Sequence, residues 1–149
     1  MGLLEASHTV EIEAPLDDVY AVAADIPNCG LWTPSVESVE VLERHPDGSA
    51  KLVELKADAI VKKAVSILAY EYAPPDGLSW TQEQGDVKSL NGEWQLTVIS
   101  ETVTRATYML RADPGMVFGM LLRGPVEGKV KDFLTRGAAE GLKEHLEAG

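Results

Sequence analysis

The sequence predicts an α+β chain: one strand, two short helices, a meander of six antiparallel strands, and one long C-terminal helix. Three observations carry this prediction. Six runs between Val36 and Arg111 alternate apolar and polar residues and are separated by turn signals. Past Asp113-Pro114-Gly115 the apolar spacing lengthens from two residues to about four, the period of a helix. Before either of these, a lone alternating run ends at a proline that opens a helical pattern.

The lone run is Ser7–Glu13, where Thr9, Glu11 and Glu13 alternate with Val10, Ile12 and Ala14, so one face is wet and the other covered. Pro15 suits the first turn of a helix, and Asp17 and Asp18 favour the positive end of its dipole. With Val19, Val22 and Ala23 on one side, the helix runs from Pro15 to Asp25. Ile26-Pro27-Asn28 interrupts it, and a second short turn covers Asn28–Trp32 before Pro34. The meander follows as Val36–Glu43, Ala50–Ala57, Lys63–Tyr72, Leu78–Gln84, Leu90–Ile99 and Thr104–Arg111. Its connections are short, so neighbours in sequence are expected to be neighbours in the sheet. In the last segment Val126, Val130, Leu134, Ala138, Leu142 and Leu146 repeat every four residues, widened by Phe133 and Ala139. A helix from Pro125 to Leu146 spans about 35 Å at ~1.5 Å per residue, enough to cross the sheet's apolar face.

The 149 residues, 45% of them apolar, suit a single domain over residues 1–149. A formal charge of −11 argues against nucleic acid and anionic lipid headgroups as partners. The longest uncharged apolar-leaning stretch, Pro114–Leu122, is far short of the roughly twenty residues a membrane helix needs. Met1–Ala6 lacks the features of a signal peptide and of a myristoylation motif, so a cytoplasmic location is expected. The single cysteine, Cys29, excludes an intramolecular disulfide.

Several strings occur in an order that resembles the START-like helix-grip superfamily, in its polyketide cyclase/dehydrase-like or coenzyme-Q-binding-protein-like branch. They are Val10-Glu11-Ile12-Glu13-Ala14-Pro15, Ile26-Pro27, Leu31-Trp32, Val39–Glu43, Tyr70-Glu71-Tyr72, Leu78-Ser79-Trp80, Gly92–Leu96 and Ala106–Leu110. The resemblance covers nearly the whole chain. It implies a curved seven-stranded sheet gripping the long helix, with a pocket between them for a lipid, a polyketide or another apolar molecule.

By alternation, the covered face should carry Leu68, Tyr70 and Tyr72; Leu78, Trp80 and Gln82; Trp94, Leu96 and Val98; and Ala106, Tyr108 and Leu110. Tyrosine and tryptophan suit a cavity that is apolar in bulk and offers an occasional hydrogen bond, although the same rings could simply fill a core. The ligand-binding set expected is Trp32, Leu68, Tyr70, Trp80, Gln82, Trp94, Tyr108 and Met120, with Val130, Phe133 and Leu134 from the helix. In the resemblance, Asp113–Leu122 is a loop shaping one mouth of the pocket, with Met116 and Met120 as its adaptable gate. That stretch could equally pack on its own core or on a second copy of the chain. Asn28–Pro34 is the opposite lip. Gly128, Gly137 and Gly141 within the helix call for either close packing or room for a ligand.

Catalytic patterns are sparse. His8, His45 and His145 stand far apart, without the spacing of a zinc site, and neither a nucleophile elbow nor a glycine-rich phosphate loop occurs. No metal, nucleotide or other cofactor is expected, and no catalytic residue is assigned. Three readings follow: a binder of an apolar or aromatic small molecule; a polyketide aromatase/cyclase or dehydratase assisted by Tyr70, Tyr72, Tyr108 or Gln82; and a protein-interaction module with a collapsed pocket.

Overall fold

The computed structural model describes residues 4–60 and 62–148; Met1–Leu3, part of the segment read above for targeting signals, lie outside the described residues. The elements are β1 (Leu4–Ile12), α1 (Leu16–Ala23), a 3₁₀ helix (Ile26–Leu31), β2 (Val36–Arg44), β3 (Ala50–Asp58), β4 (Lys63–Ala73), β5 (Gly77–Gly85), β6 (Ser89–Ser100), β7 (Val103–Asp113), α2 (Gly115–Leu121) and α3 (Pro125–Glu147). The seven strands form one antiparallel sheet in the order β1-β7-β6-β5-β4-β3-β2. The meander is as expected, and β1 returns to cap it beside β7, pairing Leu4 with Ala112 and Ile12 with Thr104.

Two differences from expectation concern the ends of the cavity described below. β1 begins at Leu4, three residues early, because Leu4 and Ala6 continue the inward parity of His8, Val10 and Ile12. The segment expected as a loop holds α2, a helix of two turns from Gly115 to Leu121. Gly115 supplies its opening with φ of 75°, a backbone state that costs an L-residue far more than glycine.

Register shifts between β2 and β3, at Ile67/Leu68 of β4, and at Val98/Ser100 of β6 bend the sheet around α3. β5 pairs with β6 only from Gly77/Gln95 to Thr81/Asn91. Beyond that point the two strands part, and the gap is spanned by the 86–88 connection. Its Lys88 N–H donates to the Asp113 carbonyl and its Asp86 N–H to that of Val65.

Two halves of α3 do different work. The C-terminal half packs solidly: Ala138, Ala139 and Leu142 are fully buried against a core that includes Ile12, Val19 and Ala106. Each large aliphatic side chain buried this way contributes about 1.5–3 kcal/mol. Gly141 marks the closest approach, since a Cβ there would stand 1.8 Å from the Trp32 carbonyl oxygen. Lys143 ties the same half to β1 by donating to the Glu11 carbonyl at 2.7 Å. The N-terminal half, by contrast, roofs an open space. None of Gly128, Gly137 and Gly141 borders that space, so close packing accounts for Gly141 and ligand room for none of them.

Candidate ligand cavity

Between the concave face of the sheet and the first turns of α3 lies a cavity of about 170 Å³. Its floor is the inward row of Leu68, Tyr70, Leu78, Trp80, Trp94 and Tyr108. Strand register makes this row continuous, because Tyr70 stands opposite Trp80, Leu78 opposite Trp94, and Trp94 opposite Tyr108. Residues so placed are the sheet's closest side-chain neighbours. The rings follow one another from Trp32 to Trp94 (6.0 Å between centroids), Tyr108 (4.9 Å), Trp80 (5.5 Å) and Tyr70 (5.7 Å). Gly92, opposite Trp80, lets the indole lie flat on the sheet; a Cβ there would meet the ring at 2.5 Å.

The roof is Val130, Leu134 and Thr135 of α3. One end is closed by Ile26, Cys29 and Trp32, which share a face because a 3₁₀ helix repeats every three residues. The other end lies where β5 and β6 part, and is closed by Val87, Pro114, Phe118 and Leu122.

Eight of the expected binding residues line the cavity: Trp32, Leu68, Tyr70, Trp80, Trp94, Tyr108, Val130 and Leu134. Three do not. Gln82 spends its amide on structure, accepting from Ser66 Oγ at 3.0 Å and donating to the Val87 carbonyl at 2.9 Å. Met120 points outward, as does Met116, with 61% and 83% of their surfaces exposed. The reason is α2 itself, which turns Phe118 and Leu122, four residues apart, to the inside. Phe133 is partly buried but stands about 100° around α3 from Leu134, off the lining face. Of the other residues expected on the covered face, Tyr72 donates its hydroxyl to the Ala50 carbonyl at 2.6 Å, and Val98 is 55% exposed at the far end of β6.

Cys29, Ser66 and Phe118 belong to the wall and were not foreseen. The Ile26/Cys29/Trp32 spacing of three and the Phe118/Leu122 spacing of four were the signals available for two of them.

The cavity's polar groups are all neutral apart from one paired lysine. No buried side-chain nitrogen or oxygen lacks a partner among the described residues. The hydroxyls of Tyr70 and Tyr108 take part in none of the hydrogen bonds there, so they face the open space. Burial, reinforced by the neighbouring Cys29, pushes both phenols above the ordinary tyrosine range. Burial, reinforced by Asp25, raises the Cys29 thiol to about 12. The three groups line one cavity, and each keeps its proton at neutral pH. Among the lining residues the single ionised side chain is Lys131, paired with Glu127 at 3.1 Å. The histidines are elsewhere: His8 lies 3.7 Å from Glu140, and His45 Nε2 is 2.9 Å from the Tyr70 carbonyl oxygen. Such a wall can surround a ring and donate hydrogen bonds to it, and none of its described residues is a histidine or a carboxylate.

Comparison with known proteins agrees with this geometry. Residues 12–136 match the family model described as polyketide cyclase/dehydrase and lipid transport. Among solved structures, a START superfamily protein from Mycobacterium smegmatis superposes with a TM-score of 0.85 at 20% identity, over 99% of both chains. A protein from Thermus thermophilus gives 0.83 at 25% identity, over 97% of this chain and 98% of that one. The Zhui aromatase/cyclase from a Streptomyces species gives 0.82 at 21% identity, over 98% and 94%. None of the curated proteins matches the chain. With its family model covering most of the sequence, and with the curved sheet, gripped helix and apolar cavity in place, the chain belongs to the polyketide cyclase/dehydrase and lipid transport family of the START-like helix-grip superfamily.

Proposed function

We propose that the protein binds an apolar, ring-containing small molecule in the cavity between the sheet and α3. The observation that carries this reading is the wall itself: aromatic floor, aliphatic roof, and two phenol hydroxyls without a partner among the described residues. Burial of the ligand's apolar surface supplies the affinity, at about 25 cal/mol per Å², and the hydroxyls set its orientation. Size narrows the class. A cavity of about 150 Å³ holds benzene, whereas sites for larger organic ligands occupy roughly 300–1,000 Å³. At about 170 Å³ this cavity matches a one- or two-ring compound better than a long acyl chain or a fused polycycle.

All three tryptophans of the chain line the cavity, so intrinsic fluorescence reports on it directly. Titration with naphthalene is expected to quench that fluorescence saturably, and organic extraction of the purified protein to release a stoichiometric apolar compound. A protein that is empty on extraction and indifferent to naphthalene would refute the reading.

A second reading, aromatase/cyclase or dehydratase activity on a polyketide, draws support from the likeness to the Zhui aromatase/cyclase over 94% of that chain. It would use Tyr70 and Tyr108 as neutral donors to a developing enolate. Against it stands the lack of a histidine or carboxylate in the wall to take the proton. Turnover of a poly-β-ketone, lowered at least tenfold by Tyr70→Phe or Tyr108→Phe, would establish it; no turnover would exclude it.

A further inference from the structure

We infer that Tyr70, Tyr108 and Cys29 form a donor subsite for a carbonyl oxygen, so that the bound molecule is an uncharged aryl carbonyl compound. The inference rests on the ligand-binding reading above and adds the chemical class of the ligand. Three facts on different strands and helices converge on it.

First, Tyr70 is only 5% exposed and lines the cavity, and its hydroxyl takes part in none of the hydrogen bonds among the described residues, so its oxygen is left to the cavity space. A hydroxyl open to an apolar cavity is free to donate to whatever occupies it, and a ligand oxygen there gains a hydrogen bond. Second, Tyr108, half-buried in the same wall, presents a second hydroxyl without a partner among the described residues, and Cys29 lines the same cavity and keeps its proton. The two tyrosines flank Trp80, with ring centroids 5.7 and 5.5 Å from the indole, so the donors stand at one aromatic platform. A carbonyl oxygen has two lone pairs and can accept from both hydroxyls at once. Third, among the described lining residues no unpaired cation offers itself to an anion. Lys131 is already paired with Glu127, and the surroundings that hold a phenol and a thiol protonated would oppose a carboxylate equally. The aromatic floor then accounts for the ring and the volume for its size.

The test compares acetophenone, α-methylstyrene and benzoate. The first two share a shape, a C=O in one replacing a C=CH₂ in the other, and the third carries a charge. Binding is followed by tryptophan fluorescence in wild type and in Tyr70→Phe/Tyr108→Phe. The preference for acetophenone over α-methylstyrene is expected to fall about tenfold or more in the double variant, as two hydrogen bonds are lost, while α-methylstyrene still binds. Benzoate is expected to bind at least tenfold more weakly than acetophenone. In the wild type alone, the infrared carbonyl stretch of bound acetophenone should lie below its value in hexane, and this readout decides the matter even where the double variant fails to fold. An unchanged preference with an unshifted stretch would overturn the subsite and leave ligand binding intact. Failure of both neutral probes to bind the wild type would overturn the ligand-binding reading, and the subsite with it. Benzoate binding as tightly as acetophenone would overturn the assignment of an uncharged ligand.

Discussion

Replacing Gly141 with alanine tests the packing of α3 more sharply than any cavity substitution. In an open helix the change gains about 1 kcal/mol, since glycine is the poorer helix former. Here the new methyl carbon would stand 1.8 Å from the Trp32 carbonyl oxygen and 3.0 Å from its carbon. Ordinary contact begins near 3.4 Å, so α3 and the Trp32 backbone must part by about 1.6 Å. The obstacle is backbone and cannot swing aside like a flexible side chain. Overpacking costs about 1–3 kcal/mol in well-packed interiors. Taking the upper end and subtracting the propensity gain leaves a net loss of about 2 kcal/mol. For a chain of this size that lowers Tm by about 4–8 °C. Gly128→Ala is the internal control, because no atom lies within 4 Å of its added carbon. It is expected to raise Tm by about 2–4 °C. Thermal unfolding followed by circular dichroism reads both. If Gly141→Ala stabilises as Gly128→Ala does, the close approach of α3 to the Trp32 backbone is wrong.

Other consequences are equally direct. Thr104, fully buried, donates to the Ala14 carbonyl at 2.8 Å; Thr104→Val keeps the shape, strands the carbonyl and should cost about 1–3 kcal/mol in urea unfolding, whereas a neutral outcome would mean that the carbonyl finds another partner. Cys29 is buried with its thiol pKa at about 12, so native protein at pH 8 should not react with Ellman's reagent, and one thiol should appear in guanidinium; prompt reaction of the native protein would contradict its place in the wall. Stability should fall on the alkaline side. Cys29, Tyr70 and Tyr108 hold their protons more tightly folded than unfolded, so their contribution is complete below pH 9 and is lost as pH rises through 9–12 for the thiol and from 10 upward for the phenols. Each contributes up to about 1.4 kcal/mol per pH unit in its window. Urea midpoints measured from pH 7 to 11 should stay level and then drop. Absorbance at 295 nm showing all four tyrosines ionising near pH 10 in the folded protein would refute this.

How much of this was legible in the sequence follows from the range of each signal. Period-two alternation located every strand of the meander, and with them the parity that turns Leu68, Tyr70, Trp80, Trp94 and Tyr108 inward. Period four located α3 and its Val130 and Leu134. The segment 113–122 misled because the resemblance implied a loop there; only its Phe118/Leu122 spacing spoke for a helix, and that helix reverses the sense of Met120. Gln82 lay on the right face, but its partners Ser66 and Val87 are set by where β5 leaves β6, which no local pattern encodes. The gathering of Cys29, Tyr70 and Tyr108 into one wall joins segments some 40 to 80 residues apart, and belongs to tertiary geometry alone.

The pairing of β1 with β7 has a consequence for the order of assembly. It joins residues about 90 to 110 positions apart, from Ile12/Thr104 to Leu4/Ala112, while every other strand pair closes through a short turn. Long-range pairing of this kind is slow, since loop-closure entropy must be met before any contact forms. At about 5–20 residues per second of synthesis, β1 waits some 5–20 s for its partner. Throughout that interval Val10 and Ile12 lack their cover, and the cavity lacks the wall that Leu4 and Ala6 supply. β1 is thus made before its partner yet fixed only after it, and its pairing completes the wall of the cavity.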